Sequence, residues 1–204
     1  LSQDGQSLEQ FARLGSFAEM MLVHEHAVVK IREDMPSAQA ALIGCGVTTG
    51  IGAVIHTAKV EPGATVAVIG CGGIGLSTIN GAAIAGASRI IAVDMVASKL
   101  ELARKFGATD VVDASDGDAV AKVKELTGGG VHYSFEAIGL KVCAEQAFQM
   151  LRIGGTATVI GMIPPGDMVS LRGVDFLSEK KIQGSFMGSN RFRVDMPRFI
   201  EFYL

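Results

Sequence analysis

The sequence predicts an α/β fold built on a doubly wound parallel sheet, and three observations carry that reading. Short apolar, β-branched runs bounded by glycine recur between Thr65 and Phe186. Helical stretches separate them, so strand and helix alternate along the chain. Gly70-Cys71-Gly72-Gly73-Ile74-Gly75 joins the first run to its helix in the pattern G-x-G-x-x-G. Alternation of this kind implies right-handed crossovers, which lay the strands parallel.

The elements follow in order. Leu1 to Met35 has no crossover rhythm, and Phe17 to Ile31 (FAEMMLVHEHAVVKI) reads as strands with a turn around Glu25. Pro36 and Ser37 start a long helix, with Ser37 as its N-cap, which must end before Glu61-Pro62-Gly63. A domain boundary near Met35 to Ala40 therefore separates 1–36, the tail of a neighbouring domain, from 37–204. Thr65 to Ile69 is a buried strand, the glycine pattern opens a small-residue helix, and Arg89 to Val93 is a second strand ending in Asp94. Ser98 to Phe106 is a helix stopped by Gly107, and Thr109 to Asp113 a strand. Asp118 to Leu126 is an amphipathic helix closed by Gly128-Gly129-Gly130, and Val131 to Glu136 a strand. Lys141 to Leu151 reads as helix, Thr156 to Ile160 and Lys181 to Phe186 as strands, and Asp195 to Leu204 as a helix with Pro197 in its first turn.

The unit from Thr65 to Asp94 fits a dinucleotide. Gly70 permits the tight turn, Gly72 and Gly73 let backbone amides approach a pyrophosphate, and Gly75 lets the helix pack close to the strand. The helix N-terminus offers unpaired N–H groups and partial positive charge. Asp94, nineteen residues beyond Gly75, can accept hydrogen bonds from the adenosine ribose. A carboxylate there would repel the 2′-phosphate of NADP, and no Arg follows it directly, so NAD is expected over NADP.

Composition narrows the classes. Hydrophobic residues make up 49% and charged residues 19% of 204, ample for a sizeable core, and 26 glycines suit nucleotide binding. Net charge is −3 with no basic stripe, which argues against nucleic acid. Three cysteines, Cys45, Cys71 and Cys143, share no C-x-x-C spacing and point to a reducing, cytoplasmic compartment. Ser37 to Ala58 and Pro62 to Ser88 are long and carry no Asp, Glu, Lys or Arg, yet the second contains seven glycines in a strand-turn-helix pattern. Both read as buried α/β core, with no membrane partner. The chain opens at Leu1 without a Met, as a piece of a longer polypeptide would.

LIGCGVTTGIGAV, AKVEPGATVAVIGCGGIGLS, IIAVD and SFEAIG together resemble the medium-chain, zinc-dependent alcohol dehydrogenases, closest to their alcohol and class III (glutathione-dependent formaldehyde) members. The resemblance implies a Rossmann domain preceded by a remnant of a GroES-like catalytic domain, with the active site in the cleft between them. It implies that Cys45 is a catalytic zinc ligand beside a Cys and a His supplied elsewhere, and that Thr49 and Ile74 pack against the nicotinamide. Asp94 and Lys99 would address the adenosine ribose, and Ile138, Ile160, Ser185 and Met187 the nicotinamide side. The implied chemistry is hydride transfer between an alcohol or aldehyde and NAD, with zinc polarising the alcohol. The zinc partners, the proton relay and a four-cysteine structural lobe are not found in residues 1 to 204, which makes this half an active site. A homodimer through the last strand, Ile182 to Met187 with Met168 to Leu171 alongside, is also implied.

Other readings remain beside this one. A zinc-free quinone reductase-like relative would use the same cleft, but Cys45 and Asp94 argue against it. A non-catalytic nucleotide-binding module and an adenosyl-methionine-dependent methyltransferase fit the full glycine pattern less well. Tyr133 lacks the Lys four residues on that short-chain dehydrogenase chemistry needs, because Ala137 stands there. Taken without the resemblance, Cys45 is a small core residue between glycines. Cys71 fills the phosphate loop, Cys143 is core, His24 and His26 share a solvated strand face, and His56 and His132 are structural.

Overall fold

The computed structural model describes residues 2–7 and 14–204. Leu1 and residues 8–13, part of the expected 1–36 segment, lie outside them. A six-stranded parallel sheet organises the chain: β3 (Thr65–Ile69), β4 (Arg89–Asp94), β5 (Asp110–Asp113), β6 (Val131–Glu136), β7 (Leu151–Val159) and β8 (Lys181–Gly184). Their order across the sheet is β5-β4-β3-β6-β7-β8. The order reverses between β3 and β6, and such a switch point leaves a crevice at the carboxyl ends of the strands. A two-residue ladder, β1 (Ser2–Gln3) with β2 (Gln6–Ser7), stands apart.

Alternation along each strand splits the core in two. Val66, Val68, Ile90, Ala92 and Phe135 face one side with Ile79 and Ala82 of α3 (Gly73–Ile84) and Leu100 and Ala103 of α4 (Ala97–Lys105). Ala67, Ile69, Ile91, Val93 and Val112 face the other with Val120 and Val123 of α5 (Ala119–Thr127) and Ala147 and Phe148 of α6 (Lys141–Gln149). Local chemistry sets the boundaries. Asp118 caps α5, its Oδ1 accepting the N–H groups of Val120 at 2.9 Å and Ala121 at 3.1 Å, and Gly128 ends it in a left-handed conformation.

Five expectations are corrected. Phe17 to Ile31 contains no strand; Glu25–Ala27 is a short 3-10 turn, and Phe17, Met20 and Leu22 are exposed. A strand needs a ladder partner for its backbone, and none lies beside this segment among the described residues. His24 and His26 therefore share a turn instead of a strand face, His24 Nδ1 accepting the His26 N–H at 3.1 Å. Pro36, not Ser37, occupies the N-cap of the long helix, with no side-chain cap. Leu151 opens β7, opposite Val131, instead of ending a helix, and a register shift between Val131 and Tyr133 lengthens that strand. The last helix, α7 (Phe192–Tyr203), starts three residues early, which leaves Pro197 in its interior.

The long helical stretch from Ser37 to Ala58 is not a plain α-helix. It runs as α1 (Ser37–Leu42), a π-turn (Ile43–Val47), α2 (Thr48–Gly52) and a second π-turn (Ala53–Ala58). By length and composition, with mean hydropathy 1.6, it is apolar enough to cross a membrane. In the fold, Thr48 to Val54 are buried. Glycine makes that packing close: a Cβ at Gly50 would lie 2.5 Å from Ser77 Cβ and 2.6 Å from the Ile74 carbonyl. The helix bearing Thr49 is therefore seated directly on the start of α3.

Candidate active site

The strand ends build the site. Register pairs Ile69 with Val93 and Glu136, Glu136 with Val159, and Val159 with Gly184. Gly70, Asp94, Ile160 and Ser185, which follow these residues directly, and Ile138, two beyond Glu136, thus emerge at the carboxyl end of the sheet. Gly70 has φ +94°, and a Cβ there would strike Ile138. Gly75 presses on the Gly70 carbonyl so closely that no side chain fits. Gly72 and Gly73, at the cap and first turn of α3, have nothing within 4 Å of an added Cβ. That open cradle, below the free N–H groups of a helix N-terminus, fits a pyrophosphate.

Asp94 braces the loop from below. Its Oδ2 accepts the Cys71 N–H at 2.8 Å and its Oδ1 the Val96 N–H at 3.0 Å. Each carboxylate oxygen has a second lone pair for a ribose hydroxyl. Lys99 is exposed in the first turn of α4. Cys71 is buried, and burial with the nearby Asp94 charge pushes its thiol up to about 12. It is a protonated space-filler, in keeping with the role read from sequence.

The residues expected on the nicotinamide side also come together. Ile160 is buried at the end of β7, and its N–H donates to the Glu136 carbonyl at 2.9 Å. Ser185 N–H donates to the Val159 carbonyl at 2.9 Å. Thr49 is buried, and its hydroxyl lies 3.7 Å from Met187 Sδ. Ile74 is half-buried at the start of α3, beneath Gly50. An open cleft of about 680 Å³ runs past Gly44 and Met187, lined further by Ala27, Phe192, Val194 and Met196. It joins the neighbour of Cys45 to the wall expected for the nicotinamide.

Cys45 is exposed in the first π-turn, its thiol free. Among the described residues no three His, Cys, Asp or Glu side chains could hold a metal together. A catalytic zinc takes three protein donors, so these residues fit one donor of a zinc site and not the site itself.

Two residues escaped the sequence reading. Glu136 is fully buried, and its Oε1 accepts the N–H groups of Ile138 at 2.8 Å, Gly139 at 2.6 Å and Leu140 at 3.4 Å. It thereby holds the turn carrying Ile138 over Gly70, while its Oε2 is buried without a partner. The signal was present: a carboxylate closing an apolar strand just before a glycine needs donors. Asn190 ties the turn after β8 to the helix of Thr49, and nothing in its sequence context announces this.

A model of the zinc-binding dehydrogenase family matches residues 73–203. The chain is 37% identical to alcohol dehydrogenase 1 of Pisum sativum, covering 98% of this chain and 53% of that protein. It is 40% identical to S-(hydroxymethyl)glutathione dehydrogenase of Synechocystis, covering 98% and 55%. The crystal structure of benzyl alcohol dehydrogenase from Acinetobacter calcoaceticus superposes with a TM-score of 0.90 at 37% identity, over 93% of this chain and 53% of that one. The chain spans about half the length of the curated relatives it matches. Its parallel sheet, glycine cradle and these matches agree: the chain belongs to the zinc-binding dehydrogenase family.

Proposed function

We propose that this chain is the coenzyme-binding half of an NAD-dependent, zinc-dependent alcohol dehydrogenase, acting between an alcohol or aldehyde and NAD. One observation carries the reading: an open cradle at Gly72 and Gly73 stands over a carboxylate, Asp94, bonded to the same loop. Residues 1–36 would belong to a GroES-like catalytic domain and 37–204 to the coenzyme domain. When bound, NAD supplies the hydride chemistry. The chain's own residues bind and orient it: Gly70, Gly72, Gly73 and Gly75 at the pyrophosphate, Asp94 and Lys99 at the ribose. Thr49, Ile74, Ile138, Ile160, Ser185 and Met187 enclose the nicotinamide and keep water from it. The Asp94 carboxylate disfavours a 2′-phosphate, which selects NAD over NADP.

Cys45 would be one of three zinc ligands, the other two coming from outside these residues; its exposure in a helix facing the cleft supports this. Metal analysis and alcohol turnover of the full-length protein test it. Cys45→Ser should remove the catalytic zinc and at least about a hundred-fold of turnover while NADH still binds. A zinc-free protein with full activity would sink this role and favour the reductase reading. A homodimer through β8 and residues 168–171 fits an edge strand paired on one side only among the described residues. A cytoplasmic setting fits three free cysteines.

A further inference from the structure

The turn after β8 adopts a conformation that needs outside support. Met187, Gly188 and Ser189 have φ of +48°, +65° and +52°, three left-handed residues in succession, two of them bearing a Cβ. Such residues are strained and persist only where their surroundings hold them. Three contacts do so. Asn190 Nδ2 donates to the Thr48 carbonyl and to the Met187 carbonyl, each at 2.6 Å. Two carbonyl acceptors fix the amide's orientation, and they leave Asn190 Oδ1 buried without a donor. Thr57 Oγ1 lies 2.8 Å from both Ser185 Oγ and Ser189 Oγ. Gly52 and Gly188 meet backbone to backbone, so that neither position has room for a side chain.

These contacts close a ring around the reacting end of the cleft. Thr48 Oγ1 donates to the Cys45 carbonyl at 3.1 Å. The Thr48 carbonyl accepts from Asn190, Asn190 also holds the Met187 carbonyl, and the Met187 sulfur faces the Thr49 hydroxyl. The ring therefore links the helix that presents Cys45 and Thr49 to the turn that presents Ser185 and Met187. We propose that Asn190, with Thr57, is a positioning residue that sets the spacing between the nicotinamide wall and the Cys45 helix. The inference rests on the coenzyme reading above. It adds a consequence: the clamp acts chiefly on the nicotinamide half of the site, because its hydrogen bonds run between the Ser37–Ala58 helix and the turn after β8, whereas Asp94 ends β4 and the Gly70 turn follows β3.

Binding of NADH and of ADP-ribose to the full-length protein tests it, since ADP-ribose keeps the pyrophosphate and adenosine and lacks the nicotinamide. Asn190→Asp keeps the side chain's shape but turns carboxylate oxygens toward two carbonyls. It should weaken NADH about ten-fold and leave ADP-ribose within about two-fold of wild type, the scale of one or two lost hydrogen bonds. Thr57→Val removes a hydroxyl at constant shape and should give the same skew, to a smaller degree, even if the Asn190 variant does not fold. Unchanged NADH affinity, or equal weakening of both ligands, would overturn the proposal, because a purely structural role moves both or neither. A wild type that binds neither ligand overturns the coenzyme reading, and this inference with it.

Discussion

Cys45, Cys71 and Cys143 show how placement assigns chemistry to one residue type. Cys45 is exposed in a π-turn, whereas Cys71 and Cys143 are buried. Burial raises the Cys143 thiol, with the Glu136 charge adding to it, and pushes Cys71 up to about 12. Thiolate and access are both needed for alkylation. Iodoacetamide at pH 7.5, read by mass spectrometry, should therefore modify Cys45 at least about ten times faster than the other two. Comparable labelling of Cys71 in the folded protein would contradict the packing of the loop. At this scale the sequence showed the glycines and Asp94, since those residues act through backbone geometry written in their spacing. It did not show Glu136 or Asn190, whose partners are backbone groups brought near only by the fold.

At the scale of elements, Arg89 at the start of β4 joins the second and third strands at their amino ends. Its Nε and Nη2 meet both oxygens of Asp110 at 2.8 Å, and Nη1 reaches the Leu126 carbonyl at the end of α5. Those Arg89 bonds, against some burial, hold the Asp110 carboxyl at about 2, below its ordinary 3.8. A depressed folded value means stability present above pH 3.8 and lost as the pH falls through 2. Asp110→Asn should lower the melting temperature by a few degrees at pH 7. The gap from wild type should close between about pH 4 and 2. An equal gap at pH 2.5 and pH 7 would refute the assignment. Helices and strands from Thr65 onward were legible because each repeats one apolar period between glycines. Phe17 to Ile31 misled because β-branched and aromatic residues suit a strand without supplying a neighbour to pair with. The π-turns at Ile43–Val47 and Ala53–Ala58 carry no distinct period, so Ser37 to Ala58 read as one smooth helix.

Across the whole molecule, one parallel sheet brings Gly70, Asp94, Ile138, Ile160 and Ser185 to the carboxyl ends of its strands, and the helix from Ser37 sets Thr49 against Met187. The expected pairing through β8 would extend that sheet across two copies, and light scattering of the full-length protein should give twice the mass of one full-length polypeptide. A monomer at micromolar concentration would remove that pairing. Selection of NAD by Asp94 is put to the test by calorimetric titration of NADH and NADPH in parallel, with wild type and Asp94→Ala. Wild type should bind NADH at least about ten-fold more tightly than NADPH, and Asp94→Ala should erase the preference. Equal affinity of the wild type for both, or a preference unchanged without the Asp94 carboxylate, would contradict it.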